Sequence, residues 1–249
     1  MPRFFVSASQ IGVRDDGQKT VLIIGEDASH ITRSLRMKAG EKITVCDMAR
    51  CEYECEIISV GEAVTALVTE ERASENEPPY KAVLYQALIK GDKFDSVVQK
   101  AVECGVSEIV PVLTERCVVR LSKEDCKKKI VRWQRIADEA SKQCGRGELV
   151  KVSPMLTFKE AVLSASATDI SLFCYEGEDT LSISDVLEGV ENCPEKIAFM
   201  IGPEGGFSKA EAAIAAESGV KSVTLGPRIL RTETAPPFVL ACLSYRFEM

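Results

Sequence analysis

Two segments near the end of the chain concentrate the residue types that can do chemistry. Residues 201–208 read Ile-Gly-Pro-Glu-Gly-Gly-Phe-Ser, and residues 225–235 read Leu-Gly-Pro-Arg-Ile-Leu-Arg-Thr-Glu-Thr-Ala. Glycines permit positive φ angles and let a ligand approach the backbone closely. The glycine spacing fits neither the dinucleotide fingerprint nor the P-loop. The pattern therefore indicates a ligand site of another kind, although a tight turn and a charged surface connector would explain many of the same residues.

Each of these segments follows an apolar run that predicts a buried strand. Strands are predicted at 80–88, 107–113, 169–175, 196–201 and 220–225, and helices at 92–104, 127–143, 208–218 and 238–247. Strands that alternate with helices imply a largely parallel sheet that is covered on both faces. Ligands bind such sheets at the carboxyl ends of the strands, which is where both segments begin.

The first 70 residues follow a different pattern. Short strands are predicted at 20–24, 42–46 and 51–57, and a short helix at 30–40 is predicted to end at Gly40. In the third strand one face carries apolar or thiol side chains and the other carries three glutamates, which is typical of a half-buried strand; the first set is Cys51, Tyr53, Cys55 and Ile57. These elements predict a small β-barrel-like domain. The charged, proline-ended stretch 70–79 is interpreted as a linker.

The composition limits the classes of protein that need to be considered. The chain has 249 residues, of which 45% are hydrophobic and 28% are charged, so it is long enough for one large or two modest globular domains. It lacks the run of about 18 apolar residues that a membrane span needs, and it lacks a secretory signal, so we expect a cytoplasmic protein. Ten cysteines occur without a CxxC pair and with a single histidine, so no metal site is expected.

Charge is distributed unevenly along the chain. The net charge is −7, yet residues 81–151 contain 15 basic and 10 acidic residues. A basic region inside an acidic protein can bind phosphates, because salt confines electrostatic effects to short distances. On the helix around Trp133, Arg132 and Lys142 recur at nearly helical spacing, with Arg146 following, while Trp133 is expected in the core. A solvated helix face would explain the same charges.

The two C-terminal segments, in this order and at this spacing, closely resemble the signature of the ribosomal RNA small subunit methyltransferase E family, which belongs to the SPOUT class of knotted methyltransferases. The resemblance extends over most of the chain and includes residues 2–5, 30–36, 90–93, 100–106 and 132–146. It implies a PUA-like RNA-binding β-barrel at residues 1–72 and a linker at 73–79. It also implies an α/β methyltransferase domain at 80–249, whose parallel sheet carries a trefoil knot.

The same resemblance implies a reaction and its partners. The methyl group of S-adenosylmethionine (SAM) would be transferred to N3 of a uridine in the 16S ribosomal RNA of the 30S subunit, by a homodimer without a membrane or a metal. The residues expected to hold the cofactor are Ile201, Gly202, Glu204, Gly205, Leu225, Gly226, Ile229, Leu230, Arg231 and Thr234. The residues expected to contact RNA are Arg3, Arg33, Arg36, Lys90, Lys93, Arg132, Lys142 and Arg146.

The chemistry of uridine suggests which residues would be catalytic. N3 carries a proton and becomes a good nucleophile only when that proton leaves, so a base and groups that stabilise an anion are useful. Glu233 is the candidate base, and Arg228 is a candidate stabiliser of the anion. An ion pair between Glu233 and a nearby arginine would explain the same residues. Two alternatives stay open, namely ribose 2′-O methylation by a SPOUT enzyme and a non-catalytic RNA-binding or ribosome assembly protein.

Overall fold

The computed structural model describes residues 1–177 and 180–249 and divides into two compact units. The first unit contains Met1–Glu77 together with Ser141–Leu149, and the second contains Pro78–Ala140 and Val150–Met249. The short segment 141–149 therefore groups with the N-terminal unit, although the sequence places it inside the predicted domain 80–249.

A six-stranded sheet forms the first unit. Its strands are β1 (Arg3–Phe5), β2 (Ile11–Val13), β3 (Lys19–Ile23), β4 (Lys42–Cys46), β5 (Cys51–Val60) and β6 (Val64–Ala73), in the spatial order β1-β4-β5-β6-β3-β2. Only the pairing of β1 with β4 is parallel within the described sheet. The sheet surrounds one apolar core, to which β5 contributes Tyr53, Cys55 and Ile57. The predicted inward face of this strand is confirmed.

Two local predictions for the first unit were wrong. The helix predicted at 30–40 is instead α1 (Gly25–Ser29) followed by one π-helical turn at His30–Ser34. The chain leaves this turn through Arg36, which has a φ of 54°, so no helix continues to Gly40. Strand β6 extends through Ala73, so residues 70–73 belong to the sheet and not to a linker.

The second unit is built on a parallel sheet with helices between its strands. The strands are β7 (Lys81–Ala87), β8 (Glu108–Leu113), β9 (Lys151–Val152), β10 (Leu156–Thr157), β11 (Ile170–Cys174), β12 (Leu181–Ser182), β13 (Lys196–Ile201) and β14 (Lys221–Thr224). The helices are α2 (Lys93–Glu103), α3 (Lys123–Cys144), α4 (Phe158–Ser166), α5 (Ile183–Glu188), α6 (Lys209–Glu217) and α7 (Ala235–Phe247). The strand order is β10-β8-β7-β13-β11-β14-β12, and β9 pairs with β8.

The central strands of this sheet are buried on both faces. Along β13, Ala198 and Met200 pack into a cluster with α4 and α6, while the alternate residues Ile197 and Phe199 are equally buried. Such continuous burial is typical of parallel strands that are covered on both sides. The predicted α/β architecture is confirmed, whereas the trefoil knot stays a prediction.

Trp133 lies in the core, as the sequence predicts. Its ring is 4% exposed and stacks on Phe94 with ring centroids 4.0 Å apart, and its indole N–H donates to Asp95 at 3.0 Å. The same carboxylate pairs with Arg132, so the interaction fixes the first turn of α2 against α3.

Within residues 1–177 and 180–249, none of the helices is long and apolar enough to cross a membrane.

Candidate active site

A cavity lies at the carboxyl ends of β11, β13 and β14, where the two predicted segments come together. Its volume is about 620 Å³, which is within the range of small-molecule sites. Ten of the residues predicted for the cofactor or for catalysis line it: Ile201, Gly202, Glu204, Gly205, Leu225, Arg228, Ile229, Leu230, Arg231 and Glu233. Gly226 and Thr234 lie in the same segment but are not among the lining residues. The structure therefore brings both predicted segments to one cavity, and the roles assigned to these residues stay predictions.

The first segment forms a tight turn that requires glycine. The N–H of Gly206 donates to the carbonyl of Pro203 at 2.9 Å, and Gly206 has a φ of 64°. A Cβ atom on Gly202 would lie 3.2 Å from the backbone of Gly206 and from the ring of Phe207. Because these neighbours are backbone and a buried ring, a side chain at Gly202 would displace the wall of the cavity.

The loop after β8 holds this turn from outside. The hydroxyl of Ser208 donates to the Glu115 carboxylate at 2.6 Å, and the guanidinium of Arg116 donates to the Gly205 carbonyl at 2.9 Å. Ser208 and Glu211 also form the predicted capping box at the start of α6. Arg116 lines the cavity and was missed by the sequence analysis, since its bond to residue 205 spans 89 positions.

A buried hydrogen-bond chain joins the second segment to the first. The hydroxyl of Thr232 donates to the Gly202 carbonyl at 2.6 Å and accepts from the Gln86 amide at 3.1 Å. Thr232 is 8% exposed and Gln86 is fully buried at the end of β7. The same Gln86 amide also donates to the carbonyl of Ala87 at 3.1 Å. The chain fixes the position of both segments relative to the sheet, because burial makes an unpaired polar group costly.

The candidate base Glu233 is held in an ion pair. Its Oε1 atom lies 3.4 Å from Nζ of Lys93 in the first turn of α2. Its Oε2 atom is buried and has no hydrogen-bond partner within the described part of the chain. A bond from its own backbone N–H, together with Lys93 and Arg231, lowers the pKa of Glu233, although desolvation opposes this. The carboxylate is therefore ionised at neutral pH and is able to accept a proton.

Two other cavity residues have different roles. Glu204 is exposed, and its carboxylate accepts the backbone N–H of Lys90 at 3.1 Å. Cys174 lines the cavity, and burial raises the pKa of its thiol to about 12. A thiol with that pKa stays protonated, so Cys174 is unsuited to act as a nucleophile.

Five of the residues predicted to contact RNA present exposed side chains. These are Arg33 and Arg36 in the first unit, and Lys90, Lys93 and Arg132 in the second. Arg132 pairs with Asp92 and Asp95. Lys142 is half-buried in a 2.8 Å ion pair with Asp27, and Lys93 points into the cavity.

The prediction for Arg146 and Arg3 needs correction. Helix α3 ends at Cys144, so Arg146 does not belong to a basic helix face. Its side chain is 5% exposed, and its guanidinium donates to the Glu77 carboxylate at 2.6 and 2.8 Å. Arg3 pairs with the buried Glu52 at 2.7 Å and donates to the carbonyl of Arg146 at 3.2 Å. Both side chains hold segment 141–149 to the first unit and are not presented to a phosphate.

No group of three or more potential ligands suited to a metal ion occurs among the histidine, cysteine, aspartate and glutamate side chains in residues 1–177 and 180–249.

Comparison with known proteins extends these observations over the whole chain. An RNA methyltransferase domain model matches residues 76–244, and an RNA methyltransferase PUA domain model matches residues 23–66. Ribosomal RNA small subunit methyltransferase E of Bacillus subtilis is 34% identical over 100% of this chain and 98% of its own length. The protein of the same name from Mesomycoplasma hyopneumoniae is 32% identical, over 96% of this chain and 97% of its own.

Solved structures agree with these matches. A methyltransferase from Legionella pneumophila, in complex with SAM, is 30% identical with a TM-score of 0.85, covering 98% of this chain and 97% of that one. Ribosomal RNA small subunit methyltransferase E from Neisseria gonorrhoeae, bound to SAM, is 30% identical with a TM-score of 0.83 at the same coverage. The domain model and the full-length relatives lead to one assignment: this chain belongs to the ribosomal RNA small subunit methyltransferase E family.

Proposed function

We propose that this protein transfers the methyl group of SAM to N3 of a uridine in 16S ribosomal RNA. The observation that carries the proposal is the cavity itself, which is built from both family segments and has an ionised carboxylate, Glu233, in its wall. Family membership supplies the methyl donor and the RNA substrate. The carboxylate supplies what an N3 nucleophile needs, namely an acceptor for its proton.

The cavity residues fit SAM. Gly202 and Gly205 both line the cavity, and a Cβ on Gly202 would lie only 3.2 Å from the backbone of Gly206. Ile201, Leu225 and Leu230 supply apolar walls for an adenine ring, and Ile229 adds an 82% exposed apolar side chain. When bound, SAM supplies an electrophilic methyl group on a good leaving group.

The residues of this chain supply orientation and proton transfer. Glu233 accepts the N3 proton of the uridine, and its ionised form is maintained by its own backbone N–H, by Lys93 and by Arg231. Arg228 lines the cavity as an exposed cation and stabilises negative charge on the base. The chain from Gln86 through Thr232 to Gly202 keeps both loops in place without rearrangement during the reaction.

The 30S subunit is the proposed substrate particle, which implies a cytoplasmic site of action. Exposed basic side chains support RNA binding on both units: Arg33 and Arg36 on the first, and Lys90 and Arg132 near the start of α2 on the second. Cations of this kind bind phosphates and position an RNA without reading its sequence.

The proposal includes a homodimer. Helix α7 is largely apolar; Val239, Leu240 and Leu243 are buried, whereas Tyr245 on another face is 77% exposed. An exposed aromatic residue on an apolar helix supports contact with a second copy. Sedimentation of the protein and of a Tyr245→Lys variant tests this: a dimer that the substitution dissociates supports the proposed interface, and a monomeric wild type refutes it.

The proposal also includes the trefoil knot of the SPOUT class. Strand β14 lies on one side of β11, yet the chain that follows it returns to the ends of β13 and β7, where Thr232 bonds to Gly202 and Gln86. A chain that passes back over neighbouring strands in this way supports a threaded topology.

Nucleoside analysis tests the reaction. The substrate is 30S particles from a strain that lacks this gene, incubated with the protein and SAM carrying a labelled methyl group, and the readout is mass spectrometry of nucleosides from 16S RNA. We expect the label in 3-methyluridine. Label in a ribose would instead indicate 2′-O methylation, and calorimetric binding of SAM without any label in RNA would indicate an RNA-binding or assembly protein.

A further inference from the structure

Lys93 lies in the wall of the cavity, which a contact with the phosphate backbone of RNA does not require. It lies in the first turn of α2, and its side chain lines the cavity together with both family segments. Its Nζ atom lies 3.4 Å from Glu233 Oε1, and 44% of the side chain remains accessible. The positive end of the α2 dipole lies at the same place and adds to the local positive potential. A cation is therefore held beside the candidate base and still open to a ligand.

The chemistry of the reaction creates a need for such a cation. Interactions with its backbone N–H, with Lys93 and with Arg231 lower the pKa of Glu233, so this carboxylate is a weak base. The N3–H group of uridine is a weak acid, and the transfer of its proton to a weak base is unfavourable in isolation. The resulting negative charge spreads over N3 and the two ring carbonyl oxygens. A fixed positive charge next to these atoms would compensate for the unfavourable transfer.

We propose that Lys93 is a catalytic residue that stabilises the N3 anion of uridine while Glu233 accepts the proton. This inference rests on the proposed function. In the proton transfer the N3–H bond breaks, its electron pair stays on N3, and the proton forms an O–H bond with the carboxylate. The Glu233 side chain lines the cavity and is 20% accessible, so its carboxylate can be reached from the cavity. With SAM bound in the cavity, the N3 electron pair would form the bond to the methyl carbon as the methyl–sulfur bond breaks, and the electrons of that bond would stay on sulfur.

Other charged groups face the same space. Arg231 acts on Glu233 through its charge, and the remaining arginine and glutamate side chains of the cavity wall are Arg116, Glu176, Glu204 and Arg228. Arg116 is engaged with the Gly205 carbonyl, and Glu204 accepts the Lys90 N–H. Lys93 differs from these groups because it contacts the Glu233 carboxylate directly. The same ammonium group is also accessible from the cavity, where the uridine would lie.

Lys93→Met, which removes the charge and retains much of the length, tests the proposal. Lys93→Arg restores the charge, and Lys100→Met is a matched control because it removes an exposed lysine from the last turn of the same helix. Methyl transfer is measured in single turnovers at saturating SAM. One 30S substrate contains normal 16S RNA, and a second is reconstituted with 16S RNA containing 5-fluorouridine, whose N3–H is more acidic. SAM affinity and 30S affinity are measured separately by calorimetry and filter binding.

We expect Lys93→Met to lower the rate on normal RNA at neutral pH by about 100-fold or more, the scale of proton-transfer catalysis. The deficit shrinks as the pH rises and shrinks on the 5-fluorouridine substrate, because both changes make the N3 anion easier to form. Lys93→Arg recovers part of the rate, Lys100→Met behaves as the wild type, and the two binding constants of Lys93→Met stay within about threefold.

Three results would overturn the assignment of Lys93. The first is a rate for Lys93→Met equal to that of the wild type. The second is a deficit that is the same on both substrates and at every pH, which would make Lys93 a positioning residue. The third is a deficit accounted for by weaker binding of SAM or 30S, which would make it a binding residue. If the wild type produces no 3-methyluridine, the proposed function fails and the inference fails with it. If the wild type produces 3-methyluridine but Lys93→Met gives one of these results, only the assignment of Lys93 fails.

Discussion

Removing one hydroxyl from Thr232 should disturb both the fold and the cofactor site. Thr232→Val keeps the shape of the side chain but removes the donor to the Gly202 carbonyl and the acceptor for the Gln86 amide. Both partners lie in the interior, since Gln86 and Gly202 are buried. Water therefore cannot replace the lost bonds without opening the junction between the two segments.

The structure sets the size of the effect. A buried polar group left without a partner costs about 1–3 kcal/mol, and this substitution affects two such groups. The Gln86 amide retains its bond to Ala87, so we expect a total of about 3 kcal/mol. For a unit of this size that corresponds to a decrease in Tm of about 6–12 °C. We also expect SAM to bind at least about tenfold more weakly, equivalent to about 1.4 kcal/mol, because Gly202 lines the cavity.

Urea unfolding measures the free energy of unfolding, and calorimetry measures the dissociation constant of SAM. Thr232→Ser is the matched control because it keeps the hydroxyl and removes one methyl group, at a cost of about 1 kcal/mol. The reasoning is refuted if Thr232→Val is no less stable than Thr232→Ser and binds SAM as tightly as the wild type.

Three further predictions follow from particular contacts. Gly202→Ala should weaken SAM binding in calorimetry by about tenfold or more, since its Cβ would lie 3.2 Å from backbone, whereas Gly205→Ala has only ordinary contacts and should have little effect. Arg146→Met leaves the buried Glu77 carboxylate without its cation and should destabilise the protein in urea by about 3–5 kcal/mol, while the salt dependence of 30S binding stays unchanged. Folding lowers the pKa of Glu233 from 4.5, so its ionised form stabilises the fold at pH values above 4.5. In urea unfolding the wild type should therefore be more stable than Glu233→Gln at neutral pH, and this difference should disappear as the pH falls below 4.5.

Patterns of short range in the sequence predicted the elements around the cavity. Continuous apolar runs gave the central strands, and the Ser208–Glu211 capping box gave the start of α6, because strand burial and helix capping depend on residues close in sequence. Helix α4 was missed even though Thr157 and Glu160 form a capping box of the same kind, so its signal was present. Strand β6 was missed, and its last residues were assigned to the linker because they are charged and solvent-exposed, which hides the period of a strand.

Contacts of long range were outside the reach of sequence patterns. Gln86 and Arg116 bond to the two family segments across 146 and 89 positions, and no local feature of either residue points to its partner. The error at Arg146 has the same origin. A basic residue next to a basic helix is expected to be exposed, because most charged side chains are. Only the three-dimensional structure shows that Glu77 lies beside Arg146 and pairs with it.

A common physical cause underlies the successes and the errors at charged positions. A charge at the surface and a charge in an ion pair have the same appearance in the sequence, yet a buried charge is stable only where a specific partner compensates for its desolvation. Arg146 and Glu77 meet that condition away from the cavity, where their pairing holds a chain segment. In the cavity wall the half-buried Glu233 is compensated by Lys93, which itself stays 44% accessible. This remaining accessibility separates a pair that can act on a ligand from one that holds the fold, and it makes Lys93 the charge whose removal should alter the chemistry of the site.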